Sequence, residues 1–169
     1  MIRAAAVLAP VLALALLAPS SAAAACAGET VVSCPIGERR LEVCLEASDP
    51  PAFTYAYGPP GAPELTLREP LSAGTVMPWT GVGRSLWEAV AFRAGAYRYE
   101  VWHSLDRLTE DAPLEAGVSV LKGERLVASL TCRPGPGTVV APIFTLSDAM
   151  IEAGWRWDLD ARAWRRDAP

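Results

Sequence analysis

The sequence predicts an all-β chain: an antiparallel β-sandwich or barrel of about eight strands with a small C-terminal helix-hairpin appendage. Three observations carry this expectation. Short runs rich in β-branched and aromatic residues recur between residues 30 and 132, several with strict alternation. Turn-forming Gly and Pro residues punctuate them. One segment only, residues 145–154, has the pattern of a short helix.

The first residues are set apart from the fold. Arg3 precedes an apolar run from Ala4 to Ala18, and small residues follow up to Cys26. That order reads as a secretory signal over residues 1–25. The run falls short of the roughly 20 residues a membrane span needs, and Pro10 interrupts it. The expected organisation is therefore a signal, a disulfide-stabilised β-domain over 26–132, and a tail over 133–169 in which a Pro/Gly linker leads to a helix and hairpin packed on the domain. A periplasmic or secreted location follows, with no transmembrane segment. Cys26, just after the signal, is expected in a disulfide. Lipidation is the alternative, although the position three residues earlier is Ala23 where lipoprotein signals usually carry Leu.

"TVVSC" (30–34) and "LEVCL" (41–45) read as a hairpin around "PIGERR". A turn near Arg39 would set Cys34 opposite Cys44. The four cysteines, Cys26, Cys34, Cys44 and Cys132, imply two disulfides in an exported chain. Of the pairings open to them, one that includes Cys132 is favoured because it closes the longest loop. "FTYAYG" (53–58) and "ELTLRE" (64–69) alternate about the turn "PPGAP". Residues 70–84 read as a loop whose apolar members Val76, Met77, Trp79 and Val82 show no period, and a loop this long is a functional candidate.

Residues 85–92 and 97–103 form the next hairpin. With Ala94-Gly95 as its loop, Phe92 faces Tyr97, Val90 faces Tyr99 and Glu88 faces Val101, which makes Val90, Phe92, Tyr97, Tyr99 and Val101 core. His103 shares that face as a packing residue. Trp87 then faces Trp102 on the outer side, near Arg98. "AGVSVLKGERLVASLTC" (116–132) is a hairpin turning at Lys122-Gly123, and "RPGPG" (133–137) ends the sheet. In the tail, Thr145 is expected to cap the helix with Asp148 three residues on, and Gly154 to end it. Residues 155–166 read as a hairpin turning at Asp158 to Ala161, with Trp155, Trp157 and Trp164 in need of cover.

Little in the sequence points to catalysis. A formal charge of −4 without a basic run argues against a nucleic-acid partner. No CxxC and no Cys/His cluster is present, so no metal or other cofactor is expected. A Ser-His-Asp arrangement would need the one histidine, His103, yet Ser104 points to the opposite strand face and Ser85 has no G-x-S-x-G elbow around it. No phosphate-binding or dinucleotide loop occurs. The reading is a non-enzyme without catalytic residues. Its candidate binding residues are Trp79, Arg84, Trp87, Arg98 and Trp102.

Several motifs carry a resemblance: Ser33-Cys34 followed by Val43-Cys44, "YAYG" at 55–58, "PEL" at 63–65, "FRAGAYRYEV" at 92–101 and the closing "AGVSVLKGERLVASLTC". In their order and spacing the chain resembles small uncharacterised exported β-proteins of Gram-negative bacteria. More loosely, at the level of fold, it is similar to the periplasmic lysozyme inhibitors, antiparallel β-proteins that plug an enzyme cleft with a loop. The 70–84 loop and the Trp87/Trp102 face point to an exported protein-binding module, and the looser fold similarity implies a hydrolase such as lysozyme as the partner to expect. The alternative is an envelope structural or accessory protein anchored through Cys26.

Overall fold

A computed structural model describes residues 27–166, so the expected signal and Cys26 lie outside the described residues. The described residues are mostly β, in three sheets with one α-helix. The first sheet contains β1 (Glu29–Ile36), β2 (Arg39–Glu46), β3 (Ala52–Gly58) and β4 (Leu65–Pro70) as a meander. The second contains β5 (Val76–Met77), β6 (Ser85–Ala94), β7 (Tyr97–Asp106), β8 (Glu115–Lys122) and β9 (Arg125–Thr131). A short strand, β10 (Val139–Val140), returns to pair with β1, giving the order β10-β1-β2-β3-β4. Helix α1 (Thr145–Glu152) and a separate hairpin, β11 (Trp155–Asp158) with β12 (Ala163–Arg166), complete the chain. Twelve strands are described where about eight and a tail hairpin were expected, and the two large sheets face one another as a sandwich-like pair.

Aromatic and branched side chains from both sheets fill the space between them. Tyr55 of β3 meets Phe92 of β6 at 5.4 Å between ring centroids and Tyr99 of β7 at 5.6 Å. Val31, Leu41, Val43 and Phe53 face Val90, Val101 and Val118 in the same core. Burial of the Tyr55 ring pushes its hydroxyl pKa well above the usual range for a phenol. Cys34 of β1 is joined to Cys132, just past β9, across a sequence separation of 98. The bridge ties the two sheets together, as the loop-length argument favoured. Cys34 and Cys44 do not face each other: Cys34 pairs with Leu41, and Cys44 with Thr30. Cys44 is also disulfide-bonded.

Three hairpins share one turn rule. Their two-residue loops are Gly37-Glu38, Gly95-Ala96 and Gly123-Glu124, and each Gly has φ near +60° (62, 57 and 60). The second residue of each is not in the positive-φ region. Such loops are of type II′, in which Gly stands first. The expected loops Ala94-Gly95 and Lys122-Gly123 placed Gly second, and each is corrected by one residue. The turn near Arg39 likewise sits earlier, at Gly37-Glu38. In the β6–β7 hairpin Phe92 therefore faces Tyr99, Val90 faces Val101 and Glu88 faces His103. Moving the loop by one residue shifts cross-strand partners by two, so every side chain keeps its face. Tyr97, at the hairpin end, is 39% exposed rather than core.

Residues 70–84 are not simply a loop. Residues 71–73 form a 3₁₀ turn, and β5 pairs with β6 through Val76↔Val90 and Met77↔Ala89. Val76 is buried in the core. The "RPGPG" stretch is a crossover between sheets. Arg133 N–H donates to Pro35 O (3.1 Å) and Arg40 donates to Gly137 O (2.7 Å), after which Val140 pairs with Val32. The tail joins the core as well, since Leu146, Met150 and Trp164 belong to it. Among the described residues no helix is long and apolar enough to cross a membrane.

Gly117 is fixed by a close approach. A Cβ there would lie 2.4 Å from Leu130 O and 2.6 Å from the Trp102 ring, because the indole lies over its cross-strand neighbour. The substitution Gly117→Ala is expected to cost about 1–3 kcal/mol through overpacking. Ser119→Ala, two residues along the same face, should stay within about 0.5 kcal/mol. Denaturant midpoints of the two variants check this.

Candidate functional site

Helix α1 is positioned by a strand 58 residues away in sequence. Thr145 does not cap it: its hydroxyl donates to Pro142 O at 2.8 Å, and no side chain caps the helix from the preceding residue, Phe144. Glu88, on the inner face of β6, accepts instead. Its Oε2 takes the Leu146 N–H at 3.0 Å, and its Oε1 takes the Ser147 N–H at 3.1 Å together with the Ser147 hydroxyl. Two of the helix's open N–H groups are thus satisfied by a carboxylate placed at the positive end of the helix dipole. His103, opposite Glu88 on β7, brings Nε2 to 3.4 Å from Glu88 Oε2, and both side chains are fully buried.

This buried row is Ser147–Glu88–His103, with the carboxylate in the middle. Serine-nucleophile catalysis needs the imidazole between hydroxyl and carboxylate, where it can take the hydroxyl proton. Here the serine proton points to an acceptor that is already holding the helix. The arrangement fastens α1 to the second sheet. Among the described residues no group of three or more His, Cys, Asp or Glu side chains could hold a metal ion.

What α1 helps to build is a groove of about 600 Å³ between itself, the β11–β12 hairpin and residues 78–79. Its walls include Trp79, Phe144, Ile151, Trp155 and Trp157, with Asp148 and Arg156 as charged lining residues. Each wall has a local cause. The Trp79 indole N–H donates to Val82 O at 2.9 Å, which fixes the ring, and Arg107 lies over it at 5.4 Å. Trp157 faces Trp164 across the hairpin, edge to face at 5.4 Å, while the Trp164 indole N–H donates to Val76 O at 2.8 Å and anchors the hairpin on β5. Arg166 stacks over Trp155 at 4.7 Å.

Phe144 is the strained member. Its φ of 82° lies in the left-handed region, where a bulky side chain is an outlier. Even so, the residue is 40% exposed and its ring sits 6.4 Å from that of Trp79. A strained backbone that holds an aromatic ring half in water at the wall of a groove is a feature expected of functional sites.

The residues expected to bind are not brought together. Trp79 alone of the five lines the groove. Arg84 is taken up by Asp106, with contacts of 2.9 and 2.6 Å. The Arg84 hydrogen bonds, with help from Thr109 and the Leu108 N–H, hold the Asp106 carboxyl well below the usual carboxylate range. Arg98 pairs with Glu100 at 2.9 Å. Trp87 and Trp102 do not face one another: Trp87 pairs with Ser104 and Trp102 with Ala89, so the expected cross-strand tryptophan pair is corrected to a diagonal one. The wall residues that sequence reasoning passed over are Phe144, Ile151, Trp155 and Trp157. Their signal was the density of tryptophan after residue 154, read as a demand for cover rather than as a surface.

No protein-family model, curated protein or solved structure matches the chain.

Proposed function

We propose that this chain is an exported, non-enzymatic protein-binding module that acts on an envelope-directed hydrolase, and that the tryptophan groove is its binding surface. The observation that carries the reading is the preformed aromatic groove, with Phe144 held in a strained conformation at its wall. Specific sites are largely formed before the partner arrives, and Trp-rich, Arg-flanked pockets are where interface binding energy concentrates. Exposed apolar residues support the same surface: Phe144 and Ile151 lie on the groove itself, and Val82 beside Trp79. The burial of the one histidine favours binding over hydrolysis.

The test is inhibition of a panel of purified lysozymes by the oxidised protein, measured by clearing of cell-wall suspensions. Stoichiometric inhibition that is lost in Ile151→Glu and retained in Trp87→Ala supports the groove. Inhibition that both variants retain moves the surface elsewhere, and an absence of inhibition across the panel removes the lysozyme partner.

Phe144→Gly gives a second prediction. Folding stability should stay within about 1 kcal/mol of the parent, because relief of left-handed strain (about 1–3 kcal/mol) offsets the lost ring contact and the greater chain entropy of glycine. Partner affinity should fall about tenfold or more. Parallel denaturation and binding titrations separate the two effects.

A further inference from the structure

The register of the second sheet gathers cations at one end. Arg93 and Arg98 are direct cross-strand partners beside the Gly95-Ala96 turn. The Arg93 N–H donates to Glu69 Oε1 at 3.1 Å and not across to β7. The two arginines are therefore a pair without mutual backbone bonds, the type whose side chains come closest. Like charges directly opposite on a sheet are destabilising. The next hairpin adds Lys122, which pairs with Tyr97 and lies 5.5 Å over its ring, and Arg125, which pairs with Lys122.

Arg93, Gly95, Ala96, Tyr97, Arg98 and Gly123 line an open cup of about 210 Å³, and no acidic side chain is among them. Three acids stand outside it. Glu69 holds the Arg93 N–H, Glu100 holds Arg98 Nη2 at 2.9 Å, and Glu124 follows Gly123 in the turn. They leave both guanidinium groups with donors to spare. The Arg93 side chain has no ion-pair partner among the described residues. Arg98 Nε is buried and donates to nothing. A buried donor without an acceptor is costly, and native folds rarely keep one. Nor do the backbone N–H groups of Gly95 and Ala96 donate a hydrogen bond among the described residues.

We infer that this cup binds a phosphate-type oxyanion, held between Arg93 and Arg98. Guanidinium forks match the oxygens of a phosphate group. A phosphomonoester carries about −1.5 to −2 charges at neutral pH, which two arginines balance and a single carboxylate does not. The bound anion relieves the repulsion between the facing pair and supplies acceptors to donors that lack them. The chain as a whole has a formal charge of −4, so the attraction is a local property of the cup and not of the net charge. The cup shares no lining residue with the tryptophan groove, and the site stands independently of the binding surface proposed above.

The experiment is an NMR titration of the oxidised protein with inorganic phosphate, compared with chloride at matched ionic strength. Phosphate should shift the Gly95 and Ala96 amides and the Arg98 Nε–H saturably, and chloride should not. Arg93→Ala and Arg98→Ala should each weaken phosphate binding by about tenfold or more. Arg125→Ala removes the same charge from outside the cup and should change it by less than about threefold. Urea midpoints keep the test independent of folding: phosphate should raise the midpoint of the parent and leave that of Arg93→Ala unchanged. Co-sedimentation with vesicles of phosphatidylcholine and phosphatidic acid, against phosphatidylcholine alone, distinguishes the sources of the group. Pelleting that Arg93→Ala abolishes assigns it to a lipid headgroup, and phosphate binding without pelleting assigns it to a soluble ligand. Shifts that stay linear with phosphate or equal those with chloride overturn the site, as does an affinity that Arg125→Ala lowers as much as Arg93→Ala.

Discussion

Replacing Glu88 by alanine is expected to lower the unfolding free energy by about 3–5 kcal/mol, because several buried donors lose one acceptor at about 1–3 kcal/mol each. The single side chain accepts from the Leu146 and Ser147 N–H groups and the Ser147 hydroxyl, and meets His103. Its removal leaves all of these donors buried without an acceptor, and a buried group deprived of its partner loses its full solvation. Glu88→Gln keeps the shape but turns an amide N–H₂ toward donors, so it should recover less than half of the loss. Equilibrium denaturation in urea reads the magnitude. Amide exchange reads the location: the α1 amides should lose protection before those of β7 and β8, because Glu88 holds the helix and not the sheet. A loss below about 1 kcal/mol would mean that packing of Leu146 and Met150 holds the helix unaided.

Removing the bridge as Cys34→Ala with Cys132→Ala is expected to cost about 2–5 kcal/mol, the range for loss of a native disulfide from a small domain. The loop it closes, with a sequence separation of 98, lies near the upper end of the chain-entropy scale. Both half-cystines are buried, Cys34 fully, so the bridge should resist reductant until the domain opens. The check is the denaturation midpoint of the double variant against the oxidised parent, with mass spectrometry confirming the remaining disulfide. A shift of less than about 1 kcal/mol would assign the joining of the sheets to the β1–β10 pairing and the crossover hydrogen bonds instead.

The hairpins were legible because their information is local. Alternation in residues 85–103 and 116–131 set which side chains face inward, and Gly95 and Gly123 marked two of the turns. Loop placement was off by one residue because Ala94-Gly95 and Gly95-Ala96 both contain the required Gly, and only the backbone angles choose between them. The error changed cross-strand partners without changing faces, so the core assignment held for Val90, Phe92 and Val101, while Tyr99 packs against that core partly buried. The preference for a Cys132 bridge also held, since loop length is a property of sequence separation.

The groove was not legible in that way. Trp79, Phe144, Trp155 and Trp157 come from three separated segments, and no periodicity links them. Thr145-x-x-Asp148 has the spacing of a local cap, yet the inward Glu88 takes the helix amides, because a buried carboxylate needs donors more than an exposed threonine needs the helix. Val76 looked aperiodic because its two-residue strand is too short to show alternation. By itself, then, the sequence determined the β class and the strand faces, and it placed the turns only to within a residue or two, because these depend on near neighbours and the two-residue repeat of a strand. Tertiary structure alone decided the helix anchor and the tryptophan groove. Each arises where segments far apart in sequence meet, and burial and unpaired polar groups exist only once they have met.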